Sequence, residues 1–94
     1  MPHVLIQHQV RDYSTFEAVF RDDGERRRRS GSRGGKLLRN IDDPGNLFAL
    51  FEWDDAERAR AFANSYELRE AVEWAGDATP PRATVLEDIL EVDS

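Results

Sequence analysis

Apolar and polar residues alternate in the first and last stretches of this chain, and a period of two predicts β-strands. Two stretches in the middle of the chain are rich in Leu, Phe and Ile, which also favours strands. The four predicted strands cover residues 1–10, 36–41, 46–53 and 82–92. The sequence Asp-Asp-Pro-Gly at 42–45 separates the two middle strands. Because proline presets φ for a turn and glycine tolerates positive φ, this stretch predicts a tight turn between two antiparallel strands.

The third predicted strand is apolar on both faces. Its two faces consist of Leu47, Ala49, Phe51 and Trp53 and of Phe48 and Leu50. A strand that is buried on both faces needs a covering layer on each side. In a chain of 94 residues, helices can cover one face, and we expect a second copy of the chain to cover the other.

Apolar residues at helical spacing predict the first helix after residue 12. Ser14 and Glu17 fit a capping box at its start, and Asp12 is an alternative N-cap. The apolar stripe extends over two turns only, so the arginines at 26–29 are expected to form a solvated end of the same helix. The alternative interpretation is that these arginines bind an anion. The glycine-containing stretch 30–35 is expected to be a flexible connection.

The second helical stretch is predicted to begin at Asp54, which serves as the N-cap with Glu57 three residues later. We expect a break at Asn64 and Ser65, followed by a further helix that runs to about Ala75. The element order is then β-α-β-β-α-β, with the second helix broken. Right-handed crossovers place both helices on one face of an antiparallel four-stranded sheet in the order 4-1-3-2. This is an α+β, ferredoxin-like fold in a single domain over residues 1–94.

Composition narrows the classes of partner. The chain has 19 acidic and 13 basic residues and a net charge of -6, which argues against non-specific nucleic-acid binding. It has no cysteine, so disulfides, thiolate catalysis and cysteine metal ligands are excluded. No signal-peptide pattern and no apolar run long enough to span a membrane are present, so we expect a cytoplasmic protein without a membrane partner.

A spaced set of residues over almost the whole chain resembles a known group of proteins. The set comprises Val4-x-Ile6-x-His8, Asp12-Tyr13, Phe16, Phe20, Arg39-Asn40, Asp43-Pro44, Phe51-Glu52-Trp53-Asp54, Ala59-Arg60-x-Phe62, Leu68-Arg69-Glu70-Ala71 and Ala75-Gly76. It is similar to the dimeric α+β barrel superfamily, and within it to the small proteins grouped with the antibiotic biosynthesis monooxygenases. The resemblance implies a homodimer formed sheet to sheet and a pocket between the helices and the sheet.

The same superfamily contains haem-degrading enzymes and isomerases. The haem-degrading branch relies on an asparagine in the first strand and a histidine in the second helical region, and this sequence has neither. His3 and His8 lie on opposite faces of the first predicted strand and cannot chelate one metal together. We therefore expect no metal, no haem and no other cofactor.

Cofactor-free oxygenation of a quinol or anthrone requires aromatic walls, removal of a proton and exclusion of water. The candidate catalytic residues are His8, as general base, and Asn40, which would stabilise the developing enolate oxygen. The candidate substrate-binding residues are Tyr13, Phe16, Phe20, Arg39, Trp53, Phe62 and Trp74.

Each polar candidate also has a purely structural interpretation. His8 can be a core histidine with one hydrogen bond, and Asn40 can bind the backbone of the nearby turn. Trp53 can be core packing, and Tyr13 can fix the start of the helix. The sequence therefore leaves three functions open: a cofactor-free monooxygenase for a small aromatic substrate, a non-catalytic ligand-binding or assembly domain, and an isomerase or cyclase that uses His8 as base.

Overall fold

The computed structural model describes residues 1–73 and 81–94. Its elements in chain order are β1 (His3–Gln9), α1 (Tyr13–Asp22), α2 (Gly24–Ser30), β2 (Ser32–Asn40), β3 (Asp43–Trp53), α3 (Ala56–Glu73) and β4 (Arg82–Leu86). The four strands pair antiparallel in the order β2-β3-β1-β4. The predicted ferredoxin-like plan and its strand order are confirmed.

The core lies between one face of the sheet and the helices. Alternate residues of β1 and β3, among them Val4, Ile6 and Ala49, are buried against Ala59 and Phe62 of α3. None of the helices in the described part of the chain covers the opposite face, which we call the outer face. It carries Leu5, Leu38, Phe48, Leu50 and Leu86, all of which are at least partly exposed. The double apolar patterning of β3 is thus a real feature of the fold.

The hairpin between β2 and β3 is present, but its turn is not where the sequence predicted it. The chain reverses at Ile41 and Asp42, and Pro44 and Gly45 already belong to β3. The side-chain oxygen of Asn40 accepts a hydrogen bond of 2.9 Å from the backbone N–H of Asp42, which stabilises this shorter turn. The prediction of a turn at 42–45 followed the proline and glycine and was therefore wrong in position.

The starts of α1 and α3 each use an aspartate cap. At α1 the alternative cap is correct, because the carboxylate of Asp12 accepts hydrogen bonds from the N–H of Ser14 at 3.1 Å and the hydroxyl of Thr15 at 2.7 Å. At α3 the predicted cap is wrong by one residue. Asp55 accepts from the N–H of Arg58 at 3.0 Å, whereas Asp54 forms an ion pair with the Arg58 guanidinium.

The arginine run is not the tail of α1, as the sequence suggested. It forms the separate helix α2, in which Arg27 is only 8% exposed. Gly31 ends this helix at φ 122°, and a Cβ there would overlap Asp54 and contact Trp53. Residues 32–35 are the first part of β2 rather than a flexible connection.

Two further features differ from the predictions, namely the continuity of α3 and the end of β4. α3 runs without a break through Asn64 and Ser65, both of which are exposed and so need no buried partner. β4 ends at Leu86, whereas alternation predicted a strand to residue 92; residues 87–94 have no regular structure. None of the described helices is long and apolar enough to cross a membrane.

Candidate functional site

A cleft of about 600 Å³ opens between the helical layer and the edge strand β2. We call it the basic cleft. Its apolar wall is formed by Phe20 at the end of α1, Leu37 of β2 and Phe51 of β3. Its volume lies in the ordinary range for small-molecule sites, about 300–1,000 Å³. The cleft occupies the place between helices and sheet where the sequence analysis expected a pocket.

The charge of the basic cleft is opposite to that of the whole chain. Its described lining contains four cationic residues, Arg27, Arg28, Arg33 and Lys36, and no acidic one. The chain as a whole has a net charge of -6. A concave surface of one sign concentrates ligands of the other sign, so this geometry selects for an anion.

Arg27 forms part of the cleft and is held rigidly. Its guanidinium carbon lies 4.2 Å from the centre of the Phe20 ring and 5.0 Å from that of Phe51. One of its N–H groups donates a hydrogen bond of 2.8 Å to the carbonyl oxygen of Phe20. Burial lowers the pKa of Arg27, but an arginine stays charged in a protein. The ring faces compensate in part for the lost hydration.

Sequence reasoning considered anion binding by residues 26–29 only as an alternative, and it did not single out Arg27 because it treated the four arginines as one solvated run. The sequence carried no clear signal for this contact, since Phe20 and Arg27 belong to two separate helices, α1 and α2.

Two glycines keep the cleft open on the β2 side. A Cβ on Gly35 would overlap the carbonyl oxygen of Leu50, so the two strands can pair closely only if this residue has no side chain. Gly34 has φ 103° and would meet nothing within 4 Å. The glycines therefore fix the shape of the strand at the cleft without filling it.

His8 lies in the aromatic core and not in the basic cleft. It is 6% exposed, and its Nε2 shares a hydrogen bond of 2.6 Å with the hydroxyl of Tyr66. Its ring packs edge-on against Phe16 at 4.7 Å between centroids, and Phe16 stacks on Phe20 at 5.5 Å. Burial lowers the pKa of His8 to about 4, so the imidazole is neutral at pH 7. Phe16 thus stands between His8 and the cleft wall.

Phe16 and Phe20 belong to a closed circuit of aromatic contacts. The rings in contact are, in order, His8, Phe16, Phe20, Phe51, Trp53, Phe62 and Tyr66, which contacts His8 again. Trp53 is fully buried, and its indole N–H donates a hydrogen bond of 3.0 Å to the carbonyl oxygen of Ser30. Trp53 therefore packs in the core, in agreement with its structural interpretation. Phe62 is buried beside it.

The remaining candidates lie at the other end of β2. The amide of Asn40 donates to the side-chain oxygen of Asn46 at 3.2 Å and caps the turn, as its structural interpretation expected. The Arg39 guanidinium lies 4.7 Å from the centre of the Tyr13 ring, beside a small cavity of about 210 Å³. Trp74 lies outside the described residues. Of the nine candidates, Phe20 lines the basic cleft.

No protein-family model matches the chain. A protein of Haloarcula marismortui, provisionally named a haem-binding protein, is 36% identical over 52 residues. The matched stretch covers 55% of this chain and 8% of that much longer protein. This likeness is therefore confined to a short segment of the relative.

Solved structures match over nearly the full length. A protein of Bordetella bronchiseptica, provisionally named an antibiotic biosynthesis monooxygenase, has a TM-score of 0.72 and 21% identity over 95% of this chain and 97% of its own. A variant of MhuD with two manganese protoporphyrin IX molecules per active site has a TM-score of 0.65 and 21% identity, and the match covers 100% of both chains. MhuD is described as a haem-degrader of Mycobacterium tuberculosis. The chain has the fold of the solved antibiotic biosynthesis monooxygenase-like structures.

Proposed function

We propose that this protein binds a small aromatic anion in the basic cleft, as a ligand-binding protein with a monooxygenase-like fold. The observation that carries the proposal is the reversal of charge, with four cations lining a cleft in a chain of net charge -6. The apolar wall of Phe20, Leu37 and Phe51 suits the ring of such a ligand. A ligand with both a flat apolar body and a carboxylate would use both parts of the cleft.

The cations of the cleft divide into one buried arginine and three exposed residues. Arg27 is held over two rings and contributes a stationary positive charge. Arg28, Arg33 and Lys36 are exposed, and their long side chains can turn toward an entering carboxylate. Arginine binds a carboxylate through two parallel hydrogen bonds, whereas lysine acts as a point charge. The cleft can thus both attract a carboxylate and fix its orientation.

Haem fits this cleft poorly, although MhuD binds haem with the same fold. The cations suit the carboxylates of a porphyrin. However, the described residues that line the cleft offer no imidazole, thiolate, thioether or phenolate to bind the iron. The donor set therefore favours a smaller aromatic acid.

Fluorescence titration with 9-anthracenecarboxylate tests the binding function, with 9-anthracenemethanol as the uncharged probe of similar shape. We expect the carboxylate to bind more tightly, and its affinity to fall as salt is added. The double variant Arg33→Gln/Lys36→Gln should weaken carboxylate binding about tenfold, since an exposed charge contact contributes up to about 1 kcal/mol. The control is Arg60→Gln, which removes an exposed cation of α3 outside the cleft lining. Equal affinity for the two probes, or an unchanged affinity in the double variant, would contradict the proposal.

A second candidate function, cofactor-free oxygenation of a quinol- or anthrone-like ligand, is favoured by the neutral state of His8. In this reaction an anthrone CH₂ group and O₂ give a carbonyl group and water, and the electrons come from the substrate. His8 would remove the first proton. Because Phe16 separates His8 from the cleft, this reaction requires the Phe16 side chain to move aside.

Oxygen consumption with a panel of anthrones and hydroquinones tests this second function. His8→Ala should lower the rate by about 10²-fold or more, the usual effect of a positioned base. Equal rates in the wild type and the variant would remove His8 from the mechanism. If no substrate of the panel causes oxygen uptake, the binding function remains as the only proposal.

The support for a homodimer is the uncovered outer face of the sheet. Leu38 and Leu86 are 46% and 40% exposed there, beside the partly exposed Leu5, Phe48 and Leu50. A contiguous apolar surface of this kind marks an interaction site. A second copy packed face to face would cover it and give a symmetric interface.

A further inference from the structure

A second, smaller cavity of about 210 Å³ adjoins the basic cleft further along β2. We call it the far cavity. Its lining comes from the start of α1, from β2 and from β3, and consists of Tyr13, Leu37, Leu38, Arg39 and Leu47. Leu37 lines the basic cleft as well, so the two cavities share this wall. A ligand longer than the basic cleft would therefore extend into the far cavity.

Arg39 lies on the same face of the sheet as the basic cleft. In the sheet Arg39 pairs with Leu47 and Leu37 pairs with Ala49, and both partners are buried on the core face. Paired residues of antiparallel strands direct their side chains to the same face. Arg39 accordingly reaches α1, where its guanidinium carbon lies 4.7 Å from the centre of the Tyr13 ring. It is the cation of the far cavity.

The charge of Arg39 is not neutralised by the protein. Three other arginines are each paired with a carboxylate, namely Arg21, Arg26 and Arg58. Within residues 1–73 and 81–94, no ion pair includes Arg39, and the described lining of the far cavity has no acidic residue. The Tyr13 ring face attracts the guanidinium but supplies no negative charge to pair with it. Arg39 can therefore receive a carboxylate through two parallel hydrogen bonds.

The two cavities place a cation at each end of an apolar stretch. Arg27 lies over the ring of Phe51, and Phe51 pairs with Gly35 of β2. Gly35 and Arg39 are four residues apart on this strand, which corresponds to about 13 Å at the usual rise per residue. Leu37 lies between them on the same face. The spacing suits a flat apolar body with one acidic group at each end.

We propose that the ligand of the basic cleft is an elongated aromatic dianion whose second acidic group binds Arg39. This inference rests on the proposed binding function and narrows its ligand to one chemical class. One carboxylate is bound by the cations of the basic cleft, the rings lie along Leu37, and the other carboxylate binds Arg39 in the far cavity. A monoanion leaves Arg39 in water. Arg39 is thus a specificity-determining residue, which discriminates between ligands with one and with two acidic groups.

Isothermal titration calorimetry with three biphenyl acids tests the inference. Biphenyl-4,4′-dicarboxylate has an acid at each end, biphenyl-3,5-dicarboxylate has the same charge on one ring, and biphenyl-4-carboxylate has a single acid. We expect the 4,4′ compound to bind about fivefold more tightly than either of the others, the effect of one exposed charge contact. The comparison with the 3,5 compound separates the spacing of the acids from their number.

Arg39→Gln should reduce this preference for the 4,4′ compound to about one. Arg39→Lys, which retains the charge but not the paired donors, should restore part of it. Arg39 is exposed, so both variants should fold, and circular dichroism checks this. Arg60→Gln is the control, because it removes an exposed cation outside both cavities and should keep the full preference.

The inference is overturned if the wild type binds the three acids equally, or if Arg39→Gln keeps the preference for the 4,4′ compound. The proposed binding function survives that result as long as 9-anthracenecarboxylate still binds more tightly than 9-anthracenemethanol. If no aromatic acid binds at all, both the binding function and its narrowing to a dianion are wrong.

Discussion

Arg27 and His8 are both buried ionisable side chains, but Arg27 is charged at pH 7 and His8 is neutral. Arg27 keeps its charge, because two ring faces and a carbonyl oxygen receive its guanidinium. His8 loses its charge, because its surroundings are the Phe16 ring and the Tyr66 hydroxyl. The burial of His8 thus stabilises the neutral ring and makes the fold sensitive to acid.

His8 predicts a specific dependence of stability on pH. Its pKa is about 4 in the folded chain, against 6.5 for an ordinary histidine. Between these values the unfolded chain binds more protons, so the free energy of unfolding falls as the pH falls. From pH 7 to about pH 4.5 the loss due to His8 should be about 2–3 kcal/mol. Urea denaturation at both pH values measures it.

His8→Gln removes the titrating group and retains a polar side chain that can bond to Tyr66. The difference between pH 7 and about pH 4.5 should therefore be smaller in His8→Gln than in the wild type. His3→Gln, which leaves His8 in place, is the control and should keep the steep dependence. A His8→Gln chain as sensitive to acid as the wild type would show that His8 does not carry the effect.

At the residue scale the sequence predicted the surroundings of a side chain better than it predicted the chemical role of that side chain. It identified the apolar face around His8 and the two structural interpretations that describe Asn40 and Trp53. It missed the buried Arg27, because a run of four arginines is usually solvated and only the tertiary fold places two rings beneath one of them. The charge of the cleft was equally hidden, since its cations come from two separate elements.

At the scale of elements, β2 shows how tertiary packing overrides local preference. The glycines at 34 and 35 predicted a flexible connection, because glycine weakens an isolated strand. In the fold, close pairing of Gly35 with Phe51 requires a residue without Cβ, so glycine is what permits the strand. α3 gives a second example. Asn64 and Ser65 predicted a break, but the helix continues through them because Phe62 and Tyr66 of the same helix are buried.

The two glycines of β2 should differ sharply on substitution. Gly35→Ala places a methyl group against the backbone of Leu50 and Phe51, and we expect it to lower the free energy of unfolding by more than about 2 kcal/mol. Gly34→Ala meets no atom within 4 Å and suffers only from its φ of 103°, a cost of about 1–2 kcal/mol. Urea denaturation of the two variants gives the comparison. A larger loss in Gly34→Ala would mean that the close pairing at Gly35 is not what demands a glycine.

At the scale of the whole molecule, periodicity was sufficient for the topology. Four predicted strands and two helical stretches gave the order β2-β3-β1-β4, because a chain of this length with short connections has few ways to pair such elements. Alternation also continued past Leu86, where the structure of a single chain has no strand.

The outer face of the sheet predicts the response of the assembly to a charge. Phe48→Asp places a carboxylate in the middle of that face, where Gln7 and Leu38 are its neighbours across the sheet. We expect sedimentation equilibrium to show the wild type as a dimer at micromolar concentration and Phe48→Asp as a monomer. Stability should fall together with dimerisation, because association stabilises only the folded chain, and the wild type should unfold at higher urea as its concentration rises.

Val19→Asp, a change of an exposed apolar residue to the same charge on α1, is the control and should leave the dimer intact. A wild-type chain that sediments as a monomer, or a Phe48→Asp chain that remains a dimer, would exclude the sheet-to-sheet interface.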